Sequence, residues 1–389
     1  MKEEKKGKGE KKRILMLNYE FPPLGGGGGV AAKQLAKGFI ELGYEVDYVT
    51  SGFKDLKKFG KIDEINVHRV KVIGRKELPT ATMISLLSFP FCAYKKCVEL
   101  CKKNKYEFAL SYFAVPSGTL GRIISKKFNL PHIVNIVGGD IYDPTKKKSP
   151  HKNYLFRKEV ERILNQANFI ASISNDTTKR LREYYEVDKE VRTIAIPYEP
   201  FKLKKTSRKA LGLKKGIIYT ISTGRLVKRK GFDFLIKSIA KLNNSNIHSL
   251  ILGDGPEKEN LQRLAKKLNI SNQIHFLGFV SEKKKFQYLS NSDIYVLSSR
   301  HEGFGIVLQE AMQVGLPIIS TNNGGQTDFI EEGGNGYLIK FGDEDGLVKA
   351  LNKLLKDNRM REKMGKENVK KIKEFGLRRI VKEYLGALR

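Results

Sequence analysis

The stretch Ser299-Arg300-His301-Glu302-Gly303-Phe304-Gly305-Ile306-Val307-Leu308-Gln309-Glu310 sets two carboxylates eight residues apart around a Gly-Phe-Gly turn. Before it, Ile294-Tyr295-Val296-Leu297-Ser298 is an apolar run of strand length. After it, Ile306, Val307, Leu308, Ala311 and Met312 recur at helical spacing. This reads as strand, glycine turn, helix, with Glu302 in the loop and Glu310 about two turns into the helix. Glycines at a helix start let backbone N–H groups approach an anion, and the helix dipole favours a phosphate there. Two carboxylates beside such a cradle can accept hydrogen bonds from the hydroxyls of a sugar and a ribose. Two glutamates at this spacing also fit a solvated helix face; the buried strand and the glycine turn argue for a site.

Outward from this segment, strands and helices alternate. Strands are expected at Arg13–Asn18, Glu45–Thr50, Val67–Val72, Phe108–Tyr112, His132–Val137 and Phe169–Ile173, with helices at Val30–Leu42, Ala93–Lys103, Ser117–Phe128, Asn153–Gln166 and Asp176–Tyr185 between them. The rhythm breaks at Ile196–Phe201 and a basic stretch over 201–216 without one acid, read as a domain linker. It resumes with strands at Ile217–Ser222, Ser249–Leu252, Ile274–Leu277, Ile294–Ser298, Pro317–Ser320 and Gly336–Ile339. Helices are expected at Phe232–Leu242, Glu257–Leu268, Glu282–Ser290, Glu344–Lys356, Arg359–Phe375 and Leu377–Leu388. Such alternation predicts α/β architecture with doubly wound parallel sheets.

The 389 residues suffice for two domains, and 40% hydrophobic with 30% charged residues describes a soluble globular chain. No apolar run is long enough for a membrane span. Residues 1–12 form a charged Lys/Glu arm, expected to be disordered and unlike a secretory signal. Cys92, Cys97 and Cys101 share one helix at spacings of five and four, which fits buried free thiols in a reducing cytoplasm. The net charge of +31 is scattered over Lys5–Lys12, Lys146–Lys148, Lys202–Lys215, Lys228–Lys230 and Lys283–Lys285. No nucleic-acid module accompanies it, so an anionic membrane surface is the better-fitting partner and nucleic acid the poorer one. The uncharged stretch from Leu78 to Tyr94 fits either buried core packing or an interfacial element between Arg75-Lys76 and Lys95-Lys96.

The Glu302–Glu310 segment resembles the Glu-x7-Glu motif of retaining glycosyltransferases of the GT-B fold, family 4 type (glycosyltransferase group 1). Thr223-Gly224-Arg225-Leu226-Val227-Lys228-Arg229-Lys230-Gly231 is similar to that family's Gly-Arg-Leu…Lys-Gly segment. Gly253-Asp254-Gly255-Pro256, Leu277-Gly278-Phe279-Val280 and Asn323-Gly324-Gly325 resemble its further glycine turns. The resemblance implies two Rossmann-like domains facing a cleft, with the C-terminal helix crossing back to the N-terminal domain. The expected division is an acceptor domain over 13–198, a donor-nucleotide domain over 199–372 and a returning helix over 373–389. It implies a donor site of Gly26, Gly27, Gly224, Arg225, Lys230, Gly253, Phe279, Glu302, Gly303, Phe304, Gly305, Ile306 and Glu310.

Arg225 and Lys230 are expected to hold the leaving diphosphate, since charge gained there in the transition state rewards preorganised cations. Lys228 and Arg229 are expected as ordinary solvated cations. Glu302, Arg225, Lys230 and Asp140 form the implied catalytic set, with no metal ligand among them. The implied substrate is a UDP- or GDP-linked sugar, with no obligatory cofactor and a saccharide or lipid-linked acceptor. The implied place is the cytoplasm, peripherally at the inner membrane face. The implied mechanism is front-side, with the leaving phosphate helping to deprotonate the acceptor.

Gly25–Gly29 fails the dinucleotide pattern, because Val30 stands where the third glycine would fall, and no Gly-Lys-Ser/Thr follows. In the resembled family this loop sits over the donor phosphates. Val137-Gly138-Gly139-Asp140 departs from the family's His-Gly-x-Asp, which removes an imidazole from the reacting sugar. Asp140 fits either an acceptor hydroxyl or a loop cap, and His301 either a donor contact or a satisfied loop histidine. Pro197-Tyr198-Glu199 stands where the family reads Pro-Asn-Gly, with Tyr198 at the interdomain hinge. Other readings are a nucleotide-sugar 2-epimerase, which needs a carboxylate and histidine set in the first domain that is not seen, and a basic nucleic-acid binder.

Overall fold

A computed structural model of the chain describes residues 11–78, 80–144 and 149–388. The arm over residues 1–12, apart from its last two residues, and the Lys146–Lys148 cluster lie outside the described residues. Two compact units divide the chain: one runs through Glu199 and takes in the chain again from Phe375, and the other is Pro200–Glu374.

The first unit begins with β1 (Arg13–Leu17), α1 (Gly27–Glu41), β2 (Glu45–Gly52), β3 (Phe59–Ile62), β4 (Ile65–Lys71) and α2 (Met83–Lys103). It continues through β5 (Phe108–Tyr112), α3 (Thr119–Phe128), β6 (His132–Ile136), α4 (Tyr154–Asn165), β7 (Phe169–Ser172), α5 (Asn175–Tyr184) and β8 (Val191–Thr193). Its eight-stranded sheet has the order β3-β4-β2-β1-β5-β6-β7-β8, parallel throughout except for the antiparallel β3–β4 edge. Strands such as β5 and β6 are buried at every position, because helices cover both faces of a parallel sheet.

The second unit holds β9 (Ile218–Thr223), α6 (Phe232–Leu242), β10 (Ile247–Leu252), α7 (Lys258–Lys267), β11 (Ile274–Gly278) and α8 (Glu282–Leu289). Then come β12 (Ile294–Leu297), α9 (Ile306–Gln313), β13 (Ile318–Thr321), β14 (Gly336–Ile339), α10 (Glu344–Lys356) and α11 (Asn358–Lys371). Its all-parallel sheet runs β11-β10-β9-β12-β13-β14, so the strand order reverses between β9 and β12. In open α/β sheets a ligand binds beyond the strand ends at such a reversal. The loops after β9 and β12 are the two that carry Arg225–Lys230 and Glu302.

Several local expectations change. α1 starts at Gly27, so three of the five glycines form its first turn rather than a loop. α2 starts at Met83 and runs through a buried Pro90, ten residues earlier than expected. Glu310 is the fifth residue of α9, little more than one turn in. Of the three thiols only Cys97 is buried, with Cys92 and Cys101 half-buried. The 201–216 stretch is no free linker: Phe201 exchanges two hydrogen bonds with Gln313 and stacks on Phe286, and Arg208 pairs with Asp293 at 2.7 Å.

The last helix, α12 (Leu377–Gly386), packs on α1 within the first unit. The Tyr384 hydroxyl donates to Asn135 Oδ1 at 3.0 Å, and its ring meets Phe39 edge-on. Gly38 makes the close approach possible, since a Cβ there would lie 2.6 Å from Val381 Cγ2. Gly38→Leu should therefore destabilise the protein by about 1–3 kcal/mol through overpacking, read as a lowered urea midpoint.

Candidate active site

The site grows from two adjacent strand ends. After β9 the chain turns through Gly224 and Arg225 into a short 3₁₀ turn, Lys228–Lys230, which Gly231 ends in the left-handed region. After β12 it runs through Ser298, Ser299 and Arg300 to Glu302, and Gly305 then opens α9 at a φ of +105°. Hydrogen bonds join the two loops: Arg300 N–H donates to Arg229 O at 2.8 Å, and Ser298 Oγ donates to Lys230 O at 3.1 Å.

Glu302 lies at the centre, with its carboxylate buried. Lys230 Nζ donates to Oε1 at 2.5 Å, Ser299 Oγ donates to the same oxygen at 2.6 Å, and Arg229 reaches Oε2 at 3.3 Å. Burial opposes ionisation, yet Lys230 and Arg229 overcome it and hold the carboxyl at about 2, against an ordinary 4.5. Arg229 also donates to His301 O at 2.6 Å, so it is an internal partner of the loop and not a solvated cation. Lys228 is exposed as expected. Arg225 is exposed and has no acidic partner among the described residues, which leaves its guanidinium free for an anion.

The backbone around this cluster interlocks through glycines. Gly253 takes a φ of +139°, and a Cβ there would come within 1.9 Å of Gly224 O. Gly253 N–H donates to Gly278 O at 2.8 Å, which ties the turn bearing Phe279 to the same group. The Phe279 side chain itself is 89% exposed. Gly324 sits against Glu302, where a Cβ would lie 2.2 Å from Glu302 O, and Gly325 N–H donates to that oxygen at 2.8 Å. Phe304 is buried edge-on against Phe329, so it anchors the turn. The first turn of α9, at Ile306, carries no acid, which keeps its positive end available to an anion.

Glu310 has a different environment. Its side chain is largely buried, Lys285 Nζ donates to Oε1 at 2.6 Å, and Oε2 is buried without a partner among the described residues. Burial pushes its carboxyl up, while Lys285 pulls it back down. Sequence reasoning missed Lys285, because it stands in a run of three lysines and pairing with Glu310 is what singles it out.

The remaining expected residues belong to the first unit. Gly26 caps α1, and its N–H donates to Glu20 Oε2 at 3.2 Å; Gly27 begins the helix. Asp140 is buried, which raises its carboxyl to about 6, and both oxygens accept backbone N–H groups: Ala114 at 2.6 Å and Val137 at 2.9 Å. It thus caps the loops that follow β5 and β6. Among the described residues, no group of three His, Cys, Asp or Glu side chains could hold a metal ion.

Two Rossmann-like units, one bearing a cation-and-carboxylate cluster where its strand order reverses, define the GT-B class of glycosyltransferase. Residues 25–197 match the family described as Glycosyltransferase Family 4, and residues 204–371 match Glycosyl transferases group 1. The chain belongs to this glycosyltransferase family. It is 27% identical over 384 residues to N-acetyl-alpha-D-glucosaminyl L-malate synthase of Bacillus anthracis, covering 95% of each chain. Sucrose-phosphate synthase from Thermosynechococcus elongatus superposes with a TM-score of 0.85 at 19% identity, covering 97% of this chain and 98% of that one. Anabaena HepE in complex with UDP-glucose superposes at 0.76 and 19%, covering 96% and 99%.

The depressed carboxyl of Glu302 makes stability pH-dependent with a defined sign. Its contribution is complete above the ordinary 4.5 and is lost as pH falls through about 2. Thermal melts of the wild type should therefore lose stability across that window, and Glu302→Gln should flatten this part of the profile.

Proposed function

We propose that the protein is a retaining enzyme that moves a sugar from a nucleoside diphosphate to a saccharide or lipid-linked acceptor, without a divalent metal. The observation that carries this reading is the Arg229–Glu302–Lys230 cluster at the strand reversal of the second unit, with Arg225, which has no acidic partner among the described residues, in the same loop. As the glycosidic bond breaks, negative charge gathers on the diphosphate. Arg225 and Lys230 stabilise that charge more in the transition state than in the ground state, which is what accelerates a chemical step. The positive end of α9 and the Gly303–Gly305 turn add to the same field. Glu302 accepts from a sugar hydroxyl, and Glu310 accepts from a ribose hydroxyl at its vacant Oε2.

No protein group is required as base, because a phosphate oxygen on the attacked face takes the acceptor proton, so configuration is retained. UDP in the HepE complex favours uridine over guanosine for the donor, and an acetylated glucosamine fits the malate synthase likeness. The enzyme works beside an anionic membrane. The charge of +31 supports that reading, and no described helix is long and apolar enough to cross a bilayer.

The anomeric configuration of the first-formed product, read by NMR, tests retention; inversion would overturn the mechanism. Arg225→Ala and Lys230→Ala should each lower kcat by roughly two orders of magnitude, with wild-type turnover unchanged by EDTA. Activity within threefold of wild type in both variants would remove the diphosphate role.

Lys285 should matter through Glu310. Lys285→Met leaves a buried carboxyl without its cation, so burial raises it further and donor KM should rise about tenfold, the scale of one lost hydrogen bond to a charged group. Glu310→Gln should likewise act on donor KM, whereas Glu302→Gln should act mainly on kcat. The opposite split would exchange the two roles.

A further inference from the structure

Helix α2 is one-sided in an unusual way. Ser85, Phe89, Pro90, Ala93, Cys97 and Leu100 face inward, and Phe89, Ala93, Cys97 and Leu100 share a core cluster with Leu15, Leu17 and Val49. Its other face is apolar too, and nothing among the described residues covers it. Ile84, Leu87 and Phe91 are 62%, 51% and 82% exposed at spacings of three and four, so they form one stripe along the helix, which Tyr94 extends. The segment preceding α2 runs alongside and widens the stripe: Ile73 N–H donates to Ser88 Oγ at 3.1 Å, and Thr82 Oγ1 donates to Gly74 O at 2.8 Å. This brings exposed Ile73 beside the helix.

No charged residue occurs from Leu78 to Tyr94, and exposed Lys71, Lys76 and Lys95 flank the stripe. The neighbouring acids are engaged, Glu77 accepting from Thr80 and Glu99 lying between Lys96 and Lys103. An apolar stripe inside a cationic rim matches an anionic bilayer, with acyl chains for the rings and headgroups for the ammonium ions. A second copy of the chain is disfavoured, because a symmetric contact through this face would set cationic rim against cationic rim. Apolar side chains this exposed and contiguous on a folded protein mark an interaction surface.

We propose that α2 lies in the plane of an anionic bilayer, with Ile84, Leu87 and Phe91 inserted below the headgroups and Lys71, Lys76 and Lys95 against them. This rests on the membrane reading above and assigns it to one face.

The chain contains no tryptophan, so Phe91→Trp installs a single fluorescent reporter at the tip of the stripe. With the full chain, its emission should shift to the blue on vesicles of phosphatidylcholine mixed with phosphatidylglycerol, and stay unshifted on phosphatidylcholine alone. Leu87→Gln/Phe91→Gln should weaken sedimentation with the anionic vesicles by at least about tenfold, at unchanged thermal midpoint and unchanged transfer to a soluble acceptor. Added salt should weaken binding of the wild type and have less effect once Lys71, Lys76 and Lys95 are replaced by Gln. Wild-type binding matched by the double variant, or a reporter that stays unshifted while the protein sediments, would overturn the assignment and leave the membrane reading intact. Wild type that binds neither vesicle would overturn both and leave glycosyl transfer standing. A concentration-dependent dimer abolished by the double variant would give the face to a second copy instead.

Discussion

Burying Glu302 is the constraint on which the second unit is organised. A lone carboxylate in such a place would protonate or be expelled, because desolvation of a charge costs several kcal/mol. It stays ionised because Lys230 and Arg229 project from the loop after β9, the neighbouring strand. That requirement fixes the order of the loops, the 3₁₀ turn that aims two of three consecutive cations inward, and the serine that fills a further acceptor position. The strand reversal supplies the place; the ion pairs determine how it is filled.

The glycines follow from the same crowding. Where loops from several strand ends converge on one cluster, backbone must touch backbone, and a methyl group at Gly253 or Gly324 would overlap a carbonyl oxygen of the partner loop. The first unit meets a comparable need with a side chain. Asp140 gives both oxygens to backbone N–H groups and so holds the turns after β5 and β6. A buried carboxylate serves each unit, paired with cations in one and with peptide N–H groups in the other.

Most of the architecture was legible because buried parallel strands are short, mainly apolar runs, as β1, β5 and β12 are. β3 and β8 escaped notice because both are short edge strands left largely open to solvent. The first half of α2 was obscured by Pro90, which argues against a helix locally but is tolerated where packing holds it. At the site, Glu302, Glu310 and the glycine turns were singled out through their resemblance to family motifs. Arg229 and Lys285 were not, since which cations of Lys228–Lys230 and Lys283–Lys285 meet a carboxylate is decided by helix phase and tertiary contact. For Leu78–Tyr94 the core-packing reading describes one side of α2, and the other side meets solvent.

The pairing of Lys230 with Glu302 gives the site a counter-ion of its own. An anion that approaches Lys230 competes with a carboxylate already in place, at 2.5 Å and shielded from water. A halide offers no donor to the carboxylate it would displace, so its exchange is poor. A ligand that brings phosphate oxygens and hydroxyl groups together can satisfy the lysine and the glutamate in one step. On the proposed reading of the site, the closed ion pair favours molecules in which anion and polyol are joined over simple anions.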